Sequence, residues 1–212
     1  MDHEPFCPRH GIVPPVRRIL VLVLALIAAP ALAHADDPTD DGSGKAASDH
    51  PPIHNRLNFR VGFASSDTNG RPTLCLDVNV AFGFGVETCG TGQQVIHNDP
   101  GQEMSHYRIN YTVVQRSLWK GTLNTRGGLG FSEMQVGRDN PGFVFGSPDA
   151  DRGSTSGPEA VISAQWLAPL YKGFDFVVTG TAGLAYFAHA SELATTKSDL
   201  QSFASIEAGI GW

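Results

Sequence analysis

Charge is scarce in this chain. Asp, Glu, Lys and Arg make up 17% of it, below the quarter usual for soluble domains. Basic charge is scarcer still: 15 Lys and Arg stand against 21 Asp and Glu, a net −6. That excludes nucleic acid as the main partner, because phosphate binding needs a basic footprint. Long apolar runs are also missing. The longest, Ile19–Ala29, ends at Pro30 and falls short of the roughly 20 residues a membrane-spanning helix needs. No segment carries a capped apolar stripe at helical spacing, so a helical bundle is excluded as well. Cysteine is limited to three positions, with no CxxC or Cys/His zinc spacing. These features predict no metal and no cofactor.

The short apolar run follows Arg17-Arg18 and leads into Ala33-His34-Ala35. A basic start, a short apolar centre and an A-x-A ending form the secretory signal pattern, with cleavage expected before Asp36. Residues 1–35 are therefore expected to be an address rather than structure. Their removal takes Arg9, Arg17, Arg18, Asp2, Glu4 and Cys7, leaving 12 basic and 19 acidic residues in the remainder. Residues 36–56 carry Asp36, Asp37, Asp40 and Asp41 among Pro, Gly and Ser. With almost nothing to bury, they read as a disordered acidic leader.

From Leu57 the chain alternates with period two. Leu57, Phe59, Val61 and Phe63 interleave with Asn58, Arg60, Gly62 and Ala64. This is the signature of a half-buried strand. The same alternation recurs over 74–80, 84–89, 107–113, 123–131, 160–166, 176–186 and 204–212, predicting eight strands over residues 57–212. Met134 and Val136 fall out of phase with Leu129 and Phe131, which predicts a bulge near Ser132. Short connections (81–83, 117–121, 169–173) alternate strictly with long ones (65–73, 90–105, 137–159, 190–202). The alternation of short and long connections over an even strand number is the layout of an antiparallel up-and-down transmembrane β-barrel. Trp119, Trp166 and Trp212 would share the short-turn rim with Tyr171, while Tyr107 and Tyr186 would mark the other. A soluble β-sandwich or a soluble periplasmic ligand-binding barrel is the competing architecture. It would turn its apolar faces inward and carry more surface charge.

The signal sequence and the closing strand, Ser202-Phe203-Ala204-Ser205-Ile206-Glu207-Ala208-Gly209-Ile210-Gly211-Trp212, resemble those of the small eight-stranded bacterial outer-membrane β-barrel proteins. The resemblance implies an outer-membrane location. Outer-membrane lipid and lipopolysaccharide would be its surroundings, and the barrel-assembly machinery would read Ile206, Ile210 and Trp212. It also implies a monomer. Most members end in Phe, where this chain has Trp212. The class includes envelope-structure proteins, adhesins, narrow channels and lipid A-modifying enzymes, so the fold does not select the function.

Pairing the second and third strands about Phe82 sets Cys75 opposite Cys89 and Asp77 opposite Glu87 on one inward face. Directly opposite residues lie within disulfide reach, so Cys75–Cys89 is predicted to be bonded. Arg60, Arg108 and Arg126 share the inward phase, and Glu207 joins them. An eight-stranded barrel is just wide enough for side chains to fill, so these six residues predict an ionic network in the lumen. The role this favours is structural or at the surface, with a narrow solute channel as one alternative. A further alternative is hydrolytic. The spacing His189-Ala190-Ser191 resembles the His/Ser pair of outer-membrane lipid A deacylases, with Asp199 standing in for the orienting acid, but Glu192 replaces the family's Asn. His97, Asp99, Glu103 and His106 could meet in a surface metal site, although solvated loop positions account for them. Arg138-Asp139-Asn140-Pro141-Gly142 is turn chemistry, and Phe143-Val144-Phe145 forms an apolar loop tip.

Overall fold

The computed structural model describes residues 56–92, 96, 101–136, 153–194 and 196–212. The expected signal and nearly all of the acidic leader lie outside these residues, as do His97, Asp99 and the 138–145 readings. The described chain is all β apart from one short 3-10 turn, Ala190–Glu192. Eight antiparallel strands follow one another: β1 Leu57–Ala64, β2 Thr73–Ala81, β3 Phe84–Gly90, β4 Gln102–Leu118, β5 Gly121–Val136, β6 Ser154–Tyr171, β7 Phe174–Tyr186 and β8 Leu200–Gly211. Each pairs with its chain neighbours, and β1 also pairs with β8, from Asn58↔Gly211 to Ala64↔Ser205. The sheet is one ring.

Its short turns are two residues long. Phe82-Gly83 and Lys172-Gly173 have positive φ at both positions, the conformation that matches the twist of a tight hairpin. Trp212 lies at the ring's seam. Its N–H donates to the Leu57 carbonyl at 2.9 Å, and its carbonyl accepts from Arg56 and Leu57.

Alternation sorts the side chains into two faces with inverted polarity. Asn58 and Arg60 are fully buried inside the ring, whereas Phe59, Val61 and Phe63 are exposed outside it. The ring is lopsided. β4, β5 and β6 run 17, 16 and 18 residues, while β1, β2 and β3 run only 8, 9 and 7. The tall side needs new neighbours beyond the end of β3. Residues 67–68 supply them: Thr68 N–H donates to the Gln102 carbonyl and Met104 N–H to Asp67 Oδ1.

The expected bulge near Ser132 is absent. β4 and β5 keep one register from Gln102↔Val136 to Thr112↔Arg126, and the irregularity lies instead at Thr112/Val114. Met134 is out of phase for a different reason. It points inward with Met104, Val161, Ala185 and Phe203 into an apolar cluster that Phe187, Ala190 and Ala194 complete from the connection after β7. The long-connection end of the ring is thus lined with apolar side chains above a polar middle.

Candidate functional site

The interior is built in rows from inward positions of neighbouring strands. The first of its carboxylates is Asp77 on β2. It accepts from Arg126 on β5 at 2.6 and 3.1 Å, from Asn58 at 3.3 Å and from Gln165 at 3.3 Å. Directly opposite it, Glu87 on β3 accepts from Arg60 Nη2 at 2.9 Å, Arg108 Nε at 2.7 Å and Asn110 Nδ2 at 3.3 Å. Arg60 also reaches Asp77 at 3.4 Å and so bridges the two carboxylates. All six side chains expected in the lumen network lie in this interior; Glu207 is its outlier, 3.9 Å from Arg60 Nε.

Gly85 makes the pairing of Asp77 with Arg126 possible. A Cβ there would stand 2.9 Å from Arg126 Nη2 and 3.2 Å from Asp77 Oδ1. The absent side chain is the space the pair occupies.

Two network members escape the sequence reading. His106 Nδ1 lies 2.6 Å from Glu159 Oε2, both buried, and Glu159 lies 3.8 Å from Arg108 Nη1. Glu159 was legible from phase, since Ala160 and Ile162 point outward. His106 was not, because β4 begins five residues earlier than the alternation from Tyr107 suggests. The metal grouping considered for His106 and Glu103 is ruled out by direction. Three residues apart on one strand, they point to opposite faces. Among the described residues, no group of three or more His, Cys, Asp or Glu is placed to hold a metal.

Three guanidiniums therefore face four carboxylates, with His106 against one of them. Charges this deeply buried persist only when paired and hydrogen-bonded. Among the described residues, the Glu207 carboxylate oxygens and Thr179 Oγ1, opposite each other in register, have no hydrogen-bond partner. The 3.9 Å gap to Arg60 is one a bridging water spans. The Cys75–Cys89 disulfide sits just above, with Cα atoms 4.2 Å apart. Arg108 Nη2 approaches Cys89 Sγ at 3.5 Å. What this arrangement does chemically is neutralise and fill; it presents no nucleophile beside a base.

His189, Ser191 and Asp199 lie together in the connection between β7 and β8, but in the wrong order for a relay. Asp199 Oδ1 accepts the Ser191 N–H at 2.9 Å, and this bond holds the Asp199 carboxyl below its usual range. The acid thus contacts the serine's own backbone, where a relay would interpose the imidazole between acid and serine. His189 Nδ1 instead lies 3.6 Å from Glu192. Ile206, Ile210 and Trp212 are exposed on the outer face. No family model, curated protein or solved structure matches the chain.

Proposed function

We propose that this protein is a monomeric outer-membrane β-barrel, exported through its N-terminal signal, with a structural or surface role in the envelope. One observation carries the reading: the polarity of the ring is inverted. Leu129 is 70% exposed, Phe63 69% and Ile109 59%, while Arg60, Asp77 and Arg126 are at most 1% exposed. Water on both sides would make that arrangement costly twice over, since apolar area would stay wet and charges would be desolvated. Hydrocarbon outside removes the first cost, and lipid tails are the surroundings that the outer belt fits. Aromatic side chains mark both ends of the belt. Trp119 packs edge-on against Trp166 at 6.0 Å near the short turns, and Tyr107 stacks on Phe131 at 5.2 Å toward the other end. Amphipathic aromatics favour the membrane–water interface.

The filled interior favours a wall over a channel. The salt-bridged side chains block the middle, and the apolar cluster lies across the long-connection end. Lipopolysaccharide and the barrel-assembly machinery are the partners this role implies, and no cofactor is invoked. Hydrolysis of lipid A is the weaker reading, given the geometry of Ser191 and Asp199.

Outer-membrane fractionation, followed by gel mobility of unheated and boiled samples, tests the proposal. We expect the protein in the outer-membrane fraction, with an unheated band that shifts on boiling. A soluble periplasmic protein with no shift would overturn it and leave a soluble ligand-binding β-protein.

A further inference from the structure

At the long-connection end, the outward faces of β4 and β5 change character. Above the stacked Tyr107 and Phe131, the next row sets Ser105 opposite Glu133, and the row beyond sets Glu103 opposite Gln135. Same-face residues one row apart on adjacent strands are separated by about 7–8 Å. The carboxylates of Glu103 and Glu133 can thus reach a common point, and Glu103 acts electrostatically on Glu133. Both residues are buried. Among the described residues their partners are neutral donors. Glu103 accepts from Thr91 N–H at 3.2 Å, from the Thr91 hydroxyl, from Ser105 at 3.1 Å and from Asn69 at 3.5 Å. Glu133 accepts from Ser154 at 2.8 Å. Two buried like charges without a counter-ion are costly.

A second observation, independent of charge, falls at the same place. Gln135 Oε1 and Ser156 Oγ are buried and, among the described residues, have no hydrogen-bond partner. Gln135 lies directly opposite Glu103 and two residues from Glu133 on the same face of β5, so its orphan oxygen is buried on the face that carries both carboxylates. Ser156 lies directly opposite Glu133 on the other flank. Buried orphan acceptors are rare and call for an explanation. Carboxylates and an amide oxygen are the donor set of a hard divalent cation.

We propose that Glu103, Glu133 and Gln135 bind one divalent cation on the outer face of the ring, with calcium as the best-suited ion. Calcium tolerates irregular oxygen geometry supplied from two strands, whereas magnesium demands near-ideal octahedra. One ion would relieve the repulsion and satisfy Gln135 Oε1 together. The site stands on these residues and does not require a membrane around the ring.

The test uses the purified full chain in detergent, stripped with a chelator and titrated with calcium chloride. Bound ion is counted by equilibrium dialysis with radioactive calcium, and the thermal midpoint is followed in parallel. We expect one equivalent, with a dissociation constant of order 10⁻⁴–10⁻³ M, the class of extracellular calcium modules. The midpoint should rise by about 3–6 °C at ten times that concentration. Glu133→Gln and Gln135→Leu should each abolish both effects. In chelator, Glu133→Gln should be at least as heat-resistant as the unaltered protein, because the repulsion is gone; a purely structural role predicts loss instead. If Glu133→Gln does not fold, Gln135→Leu decides alone, since it leaves both charges in place. No binding at roughly 10 mM calcium, well above that class, would overturn the proposal. So would binding that survives both variants, which would put the ion on other acids such as Asp36–Asp41.

Discussion

Asp77 and Arg126 stand 49 residues apart in sequence and meet in a two-pronged ion pair inside the ring, with N–O distances of 2.6 and 3.1 Å. Both are sealed from solvent. The fork of the guanidinium matches the carboxylate, which makes this geometry the strong kind of ion pair. Truncating one partner leaves the other charged and buried. Arg126→Met should therefore cost about 3–5 kcal/mol, whereas the double change Arg126→Met with Asp77→Asn should recover part of the loss. Urea unfolding of the protein refolded into lipid vesicles reads both. A double variant less stable than the sum of the singles would contradict the pairing.

The Cys75–Cys89 disulfide links neighbouring strands and is buried within the ring. Closing a loop of this length contributes about 3 kcal/mol in the chain-entropy account. Both cysteines are buried, with Glu87 and Arg108 beside Cys89. A water-soluble reductant should therefore leave it intact until the ring opens. Thiol labelling followed by mass spectrometry should find no free Cys75 or Cys89 in native protein treated with dithiothreitol, and both free when urea is added. Labelling of the native, reductant-treated protein would show the interior to be accessible.

Much of this architecture was legible because alternation encodes faces. Leu57–Ala64 read directly as β1, and the phase of Arg60, Asp77, Glu87, Arg108 and Arg126 placed all five inside before any contact was known. The register of β2 and β3 followed from one turn, Phe82-Gly83, and Cys75 opposite Cys89 came with it. Alternation fails where the inward face changes from polar to apolar. Met104 and Met134 obey the strand period but invert the polarity rule, so β5 read as bulged and β4 as short. With β4 cut at Tyr107, His106 was left among loop residues and its bond to Glu159 was invisible. The cause of the inversion lies far along the chain. Phe187, Ala190 and Ala194 arrive from another connection to cover those methionines, and no local pattern announces that.

Phe187 is fully buried in that cluster. Truncating a core Phe to Ala costs about 3–5 kcal/mol through lost burial and the cavity left behind. Phe187→Ala should therefore lower stability by that order. It should not open a conducting path, because Glu87 and Asp77 remain paired. Planar bilayer recordings beside urea unfolding separate the two effects. Steady conductance in Phe187→Ala, absent from the unaltered protein, would make the apolar cluster a gate and favour the channel reading.

Asp67 ties the connection after β1 to the tall side of the ring. It accepts from Met104 N–H at 3.0 Å and from the Thr73 hydroxyl at 2.8 Å. Burial pushes its carboxyl above the ordinary range, outweighing those two bonds, which pull the other way. The folded state thus holds the Asp67 proton more tightly than the unfolded chain does. Stability from this group is fully present below the unfolded value, near the ordinary 3.8. It is lost as pH rises through the raised folded value. Asp67→Asn keeps a neutral side chain at every pH and should flatten that dependence. Hydrogen exchange at the Met104 amide, compared between acidic and neutral buffer after correction for intrinsic rate, should show stronger protection on the acid side. Asp67→Asn should remove the difference. Protection that grows toward neutral pH would mean that the two hydrogen bonds, rather than burial, govern this carboxyl.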